Sequence, residues 1–143
     1  MWATYDDTNF PRINVKLQGV PENNDDFDDF LTKWDSYNSG REGAEYIFVF
    51  DTSNVGMVNP KYTIKMSKFI KNLKKKPQFL KASVITCSSR YTRFLLRLIF
   101  LLQKPVANVY ITTRSDTLFI DNLSNSLLNG REIEGEDITV VNA

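Results

Sequence analysis

The spacing of apolar and polar residues predicts several β-strands. Ile13, Val15 and Leu17 alternate with polar residues, which is typical of a strand with one buried face. Residues 45–50 (EYIFVF) form an apolar run rich in aromatic and branched side chains, as in a strand buried on both faces. Further β-like segments lie at residues 2–5, 82–86, 107–112 and 138–141.

Four other segments have the spacing of apolar positions that is typical of amphipathic helices. They span about residues 24–40, 60–76, 89–103 and 116–129, and each ends at or near a glycine or proline. We expect Asn24 to cap the first helix, and Asn59 to cap the second with Pro60 as its first residue. The inward face expected for the third comprises Phe94, Leu95, Leu98, Leu101 and Leu102.

The order of these segments predicts an α/β fold. Strands and helices alternate as β-β-α-β-α-β-α-β-α with short connections, of which residues 51–56 are expected to be a turn. We therefore expect a single domain over residues 1–143 with about four helices and a mixed, largely parallel sheet. Its core is predicted over about residues 2–129, with residues 130–143 as a C-terminal tail.

One segment resembles a known family. Residues 48–70 read FVFDTSNVGMVNPKYTIKMSKFI, where a buried strand leads into Asp-x-Ser-x-Val, two apolar residues and a helix start. This pattern is similar to that of STAS domains (sulphate transporter and anti-sigma antagonist), and the matching residues are Asp51, Ser53, Val55, Met57 and Val58. The resemblance covers about residues 1–129 and implies a STAS-like fold with a regulatory role. The related CRAL-TRIO lipid-transfer fold shares the same alternation of strands and helices.

The chain departs from that family at the start of the second helix. Bacterial anti-anti-sigma members carry Asp-Ser there, and a partner kinase phosphorylates the serine. Asn59 and Pro60 occupy these places here, and proline has no hydroxyl to accept phosphate. The resemblance therefore does not extend to the phosphorylation switch. The hydroxyl of Ser53 or Thr63 remains an alternative site for the phosphate.

Composition excludes several kinds of site. The 143 residues include no histidine and one cysteine, Cys87, which excludes a disulfide framework, a cysteine cluster for metal and histidine-based proton transfer. We expect a reduced, cytoplasmic protein without a cofactor. The longest apolar run, residues 94–102, contains Arg97 and is far shorter than the roughly 20 residues of a membrane span, so the chain is not expected to be transmembrane.

Charge is strongly segregated along the chain. Residues 52–115 contain thirteen Lys and Arg and no Asp or Glu, whereas residues 1–51 contain eleven acids and four bases. The positive segment must meet either external anions or the acidic segments of its own chain. The acidic cluster at residues 25–29 lacks the spacing and glycine of a calcium loop, and is interpreted as a helix-dipole feature.

The second and third helices carry the predicted binding surface. Cations there stand beside outward apolar side chains, a combination that suits an acidic protein partner or an anionic membrane surface. The sequence shows neither helix-turn-helix spacing nor an RNP-type aromatic strand, so nucleic acid is not the expected partner. The candidate residues are Lys61, Ile64, Lys65, Lys68, Lys71, Lys75, Arg90, Arg93, Arg97 and Phe100. We therefore predict a non-catalytic binding domain, unless the chain's own acidic helix neutralises this surface.

Two alternatives concern other chemistry. Cys87 and Arg93 form a Cys-x5-Arg motif between a strand and a helix, as in phosphatases and rhodaneses. The loop lacks glycine, and Thr86 stands where those enzymes carry histidine, so a packing role for Cys87 is favoured. A CRAL-TRIO-like lipid carrier is the other alternative, and it requires an internal apolar cavity.

The carboxyl end of the 45–50 strand is a further candidate site. Asp51, Asn54 and Asn59 could hold Mg²⁺ or a ribose there. No paired acid or glycine-rich phosphate loop accompanies them, so we favour a structural role in which they bind turn amides.

Overall fold

A computed structural model of the chain describes residues 1–40 and 44–143. Six strands in these ranges form one sheet, in the order in which they occur along the chain. The strands are β1 Ala3–Asp6, β2 Arg12–Gly19, β3 Tyr46–Val55, β4 Leu80–Thr86, β5 Asn108–Thr112 and β6 Ile138–Val141. The helices are α1 Asn24–Gly40, α2 Lys61–Leu73, α3 Arg90–Leu102 and α4 Thr117–Leu128. The predicted α/β class and the four helices are confirmed for the described residues.

The sheet is mixed in orientation. The strands β2, β3, β4 and β5 are parallel to one another, while β1 and β6 run antiparallel to their neighbours at the two edges. The prediction of a largely parallel sheet was therefore wrong. A short connection leads from β1 to β2, and only antiparallel strands can be joined without a long crossover. The predicted order of elements also ended at the fourth helix and omitted β6. This strand lies within residues 130–143, which were expected to be a tail, and it joins the sheet.

Three helices cover one face of the sheet. Because the parallel strands follow one another in order, right-handed crossovers place α1, α2 and α3 on the same side. An aromatic cluster lies beneath them: the ring of Trp34 lies 5.0 Å from that of Phe48 and 5.3 Å from that of Phe50. The other face packs against α4 through Ile120 and Leu123.

The strand β3 is longer than its apolar run indicates. It continues to Val55, so the prediction of a turn at residues 51–56 was wrong for most of that segment. The neighbouring strand β2 extends to Gly19 and supplies hydrogen-bonding partners over this polar stretch, with one register shift. Asp51 lies within the sheet, in register with Lys16 of β2 and Thr86 of β4.

The helix starts differ slightly from those predicted. The cap of α1 is Asn23 rather than Asn24, since the Asn23 Oδ1 accepts the backbone N–H of Asp26 at 2.9 Å. At α2, the Asn59 Oδ1 accepts the N–H of Lys61 at 2.9 Å, and the helix begins at Lys61, one residue later than predicted. Side-chain caps at these positions satisfy amides that have no partner within the helix.

The helix α3 is rotated relative to the prediction. Phe94, Leu101 and Leu102, predicted to face inward, are 54%, 82% and 54% exposed. Instead, Thr92 is buried with Leu95, and Phe100, predicted on the outer surface, packs against the core. The helix is apolar on nearly every side, so its hydrophobic spacing alone does not select the buried face.

Candidate functional site

The outer side of α3 carries two parallel rows of side chains. At 3.6 residues per turn, successive residues are turned by about 100°, which separates the apolar side chains from the cationic ones. The apolar row comprises Phe94, Leu98, Leu101 and Leu102. The cationic row comprises Arg90 and Arg97, both exposed, and the exposed Lys104 follows two residues after the helix ends. Exposed large apolar groups beside cations are unusual on a helix that also packs on a core.

The apolar row lies on the outer side of α3, at the edge toward α2. The Tyr91 hydroxyl donates to the Val58 carbonyl at 2.6 Å, just ahead of α2, which fixes this side of the helix. Leu98 and Leu102 follow Tyr91 by seven and eleven positions, about two and three turns, and so lie along the same line.

The helix α2 adds a second row of cations. Its Lys65 and Phe69 face α1, since Lys65 pairs with Asp28 and the Phe69 ring lies 5.6 Å from that of Trp34. On the outer side of α2, the exposed apolar and cationic residues are Ile64, Lys68 and Lys71, and the exposed Lys74 and Lys75 follow directly after the helix ends at Leu73. The apolar row of α3 therefore lies between two rows of cations, and we call the whole the α2–α3 surface.

The acidic helix α1 neutralises only part of this surface. Asp28 lies 2.8 Å from Lys65, and Asp35 lies 3.1 Å from Lys76. The lysines of the α2 row have no carboxylate within 4.0 Å in the ranges 1–40 and 44–143, and the same holds for the cationic row of α3. The predicted pairing with the chain's own acids therefore occurs at the α1 edge and leaves the region between α2 and α3 positive.

Three further predicted surface residues lie outside the rows. Arg93 is half-buried, and its guanidinium donates to the Cys87 carbonyl at 3.4 Å. Lys61 is exposed at the start of α2, where its ammonium lies 5.1 Å from the centre of the Tyr62 ring. Phe100 lies on the inner side of α3, as described above. These three residues are not part of the rows.

The Cys-x5-Arg motif does not form an open loop around an anion. Cys87 is 1% exposed, and its thiol donates to the Ser89 carbonyl at 3.5 Å. The Ser89 hydroxyl accepts the N–H of Thr92 and caps α3. Arg93 lies inside that helix and bonds the Cys87 carbonyl rather than the thiol. This geometry favours the packing role of the cysteine.

Asp51 and Asn59, two candidates at the end of β3, lie on opposite faces of the sheet. The Asp51 Oδ1 accepts the Ser53 N–H at 3.0 Å and the Ser53 hydroxyl at 2.6 Å. Burial raises the pKa of Asp51, but the bonds from Ser53 and the nearby Lys16 ammonium lower that pKa by more, so it lies below its ordinary value. Asn59 caps α2 and lines a cavity on the other face, so the two do not form a joint site.

The two hydroxyls considered as substitutes for the family phosphoserine differ in access. Ser53 is exposed. Thr63 is buried, and its hydroxyl donates to the Pro60 carbonyl at 2.6 Å. Only Ser53 presents its hydroxyl at the surface.

A polar cleft of about 360 Å³ lies on the face of the sheet opposite α2 and α3. Arg12 crosses beside it to pair with Asp121 of α4 at 2.6 Å. The polar residues that line the cleft are Thr4, Asp6, Arg12, Asn14, Lys16, Asp51, Thr86, Ser115, Thr117 and Asp121. The sequence reasoning missed this cleft, although the polar positions that alternate with Ile13 and Val15 in β2 are the signal for an uncovered sheet face.

An apolar cavity of about 140 Å³ lies between the sheet and α1, α2 and α3. Its volume is comparable to that of the roughly 150 Å³ protein cavity that holds one benzene molecule. The lipid-carrier alternative requires an internal apolar cavity, and this cavity is apolar but partly open to the surface. Its size suits a small molecule rather than a whole lipid, since pockets for drug-sized ligands have about 300–1,000 Å³.

No group of three or more potential metal ligands is found in the described part of the chain. Across the same residues, no helix has both the length and the apolar character that crossing a membrane demands. No protein-family model matches this chain, and no curated protein matches it.

Proposed function

We propose that the protein is a non-catalytic binding domain that attaches to anionic lipid headgroups through the α2–α3 surface. One observation carries this proposal: the exposed apolar row of α3 lies between two rows of cations. In interfacial helices, the same arrangement places apolar side chains at the boundary between headgroups and acyl chains while cations meet the headgroups.

Apolar and electrostatic contributions of similar size support the attachment. Full burial of a leucine or phenylalanine side chain contributes about 1.5–3 kcal/mol, and Leu101 and Phe94 have most or half of their surface available. Each Lys or Arg near an anionic membrane surface contributes about 1 kcal/mol. Binding should therefore require both an anionic surface and the apolar row, and should weaken with salt.

The shape of the surface favours a membrane over an acidic protein. The apolar side chains stand along the outer side of a helix rather than in a groove, and Leu101 is 82% exposed. A protein partner would need a complementary groove lined by acids, whereas the fluid boundary of a bilayer accommodates any protruding side chain. An acidic protein is the second candidate because the cations alone would suit it equally well.

We also propose that the scaffold is STAS-like. In support, Asp51 and Ser53 stand at the end of a central strand that leads into α2, as in the family pattern. Because Asn59 and Pro60 replace the phosphorylated motif, regulation in this chain would depend on binding rather than on that phosphorylation.

Vesicle co-sedimentation tests the lipid proposal. We expect the protein to bind vesicles of phosphatidylcholine mixed with phosphatidylserine, to bind pure phosphatidylcholine weakly, and to be released by high salt. Leu101→Ser should reduce binding several-fold, whereas Leu118→Ser, at a residue of α4 that is 72% exposed, is the matched control and should have no effect.

Three results would contradict the lipid proposal: equal binding to both kinds of vesicle, binding that is independent of salt, or equal loss with both leucine variants. Salt-sensitive binding to poly-glutamate without binding to vesicles would replace the lipid with an acidic protein.

A further inference from the structure

The apolar cavity is bounded by side chains from three helices and the sheet. Its lining includes Trp34, Phe50, Met66, Ile85 and Leu95. Protein interiors leave few voids larger than a water molecule, so a void of this volume forfeits many contacts between atoms. A molecule of matching size and apolar character would restore those contacts.

A buried hydroxyl without a partner lies at this cavity. Thr92, in the first turn of α3, is 7% exposed and lines the cavity, and its Oγ1 has no hydrogen-bond partner in the part of the chain that the structure describes. A helical threonine can ordinarily donate its hydroxyl proton to the carbonyl one turn earlier. This oxygen has less than 1 Å² of accessible surface, so a molecule in the cavity does not reach it and meets apolar walls instead.

The other threonines at the cavity are already bonded. The Thr52 hydroxyl donates to the Thr86 carbonyl at 2.6 Å, and the Thr63 hydroxyl donates to the Pro60 carbonyl at 2.6 Å. Ser83 of β4, which is also buried, adds a further hydroxyl to the lining. The cavity thus combines apolar walls with very few groups able to bind a polar atom.

We propose that this cavity binds a small apolar molecule about the size of benzene, held by contacts with its apolar walls rather than by a hydrogen bond. The volume limits the ligand to this class, because a whole lipid does not fit. Apolar cavities of this size bind apolar molecules and otherwise stay dry. The site goes beyond the proposed membrane attachment, because it lies on the inner side of α3 and the membrane surface lies on the outer side.

Titration with phenol and with benzene, followed by amide chemical shifts, tests this inference. Benzene should bind saturably, with the largest shifts at residues around the cavity. Phenol should bind several-fold more weakly, because its hydroxyl finds no partner there. Thr92→Val keeps the shape of the side chain and removes the hydroxyl, and this variant should leave the binding of both probes unchanged. Phenol binding that is tighter than benzene binding and is lost in Thr92→Val would overturn the apolar assignment.

Variants that fill the cavity test its position. Ala107 and Ile99 both line the cavity, so Ala107→Val and Ile99→Phe should each abolish binding of the probes. Two variants are used so that the test does not depend on one that fails to fold, and the amide spectrum shows whether each is folded. Leu101→Ser should leave phenol binding unchanged, which separates this site from the membrane surface. Probes that do not saturate, or that bind the filled variants normally, would overturn the proposal.

Discussion

Lys65 of α2 lies 2.8 Å from Asp28 of α1. This ion pair marks the edge at which the acidic amino-terminal segment meets the basic middle segment. One turn further on, Lys68 is exposed and has no carboxylate within 4.0 Å among the residues that the structure describes. The charge of Lys68 is therefore available to an external anion, whereas the charge of Lys65 is already paired with Asp28.

This difference gives a prediction for vesicle binding. Lys68→Gln should weaken binding to phosphatidylserine-containing vesicles about fivefold, since a cation near such a surface contributes about 1 kcal/mol. Lys65→Gln should weaken it less, because Asp28 already neutralises that charge. Asp28→Asn should strengthen binding by releasing Lys65. Co-sedimentation at low salt measures all three variants.

Stability measurements provide the control for these variants. Both side chains of the pair are partly exposed, so Asp28→Asn should lower the free energy of unfolding by less than about 1 kcal/mol. If Lys65→Gln and Lys68→Gln reduced vesicle binding equally, the ion pair would have no part in setting the charge of the surface.

A second prediction concerns the two sides of α3. Leu101 is 82% exposed, so Leu101→Ser should change the free energy of unfolding by no more than about 0.5 kcal/mol. Leu95 is buried, and Leu95→Ala should lower the free energy of unfolding by about 2–5 kcal/mol. Urea denaturation measures both. A large loss with Leu101→Ser would mean that the assigned orientation of the helix is wrong.

The orientation of α3 shows a limit of sequence-based prediction. The strands and helices could be placed because alternation, capping residues and helix stops are local signals. Local signals do not orient a helix that has apolar side chains on both its inner and its outer side, since the buried side depends on which neighbour it meets. Here the Tyr91 hydroxyl bonds the Val58 carbonyl just ahead of α2, and Thr92 and Leu95 are buried.

The candidate site could be predicted only in part, for a similar reason. The cationic character of the two helices follows from the sequence, because residues 52–115 contain no acid. The pairing of Lys65 with Asp28 joins residues 37 positions apart, and the polar cleft is assembled from several strands and α4. Both depend on the arrangement of the sheet, which spacing along the chain does not specify.

A third prediction tests the cap of α1. The Asn23 side chain accepts the N–H of Asp26, and the Asp26 carboxylate accepts the N–H of Glu22 at 2.9 Å. Asn23→Ala should therefore lower the free energy of unfolding by about 1 kcal/mol. Asn24→Ala, the matched neighbour, should have a much smaller effect. The same loss at both positions would contradict the assignment of the cap.

The last prediction concerns the pH dependence that Asp51 gives to stability. Its pKa lies below the ordinary value of about 3.9 because the bonds from Ser53 and the Lys16 ammonium outweigh the effect of burial. A carboxyl whose pKa is lower in the folded state stabilises the fold above its unfolded pKa, and that stabilisation is lost as the pH falls through the folded value. The stability difference between the wild type and Asp51→Asn should therefore be constant near neutral pH and decrease below about pH 4.

Ser53→Ala separates this local effect from general acid unfolding. The substitution removes the hydroxyl that bonds the Asp51 Oδ1 at 2.6 Å and leaves the backbone N–H in place. The pKa of Asp51 should then rise toward its ordinary value, because the carboxylate loses a donor that stabilises its charged form. NMR titration of the Asp51 carboxyl carbon measures this shift directly. An unchanged pKa in Ser53→Ala would mean that the serine hydroxyl does not stabilise the charged carboxylate, and the decrease in stability below about pH 4 would then need another cause.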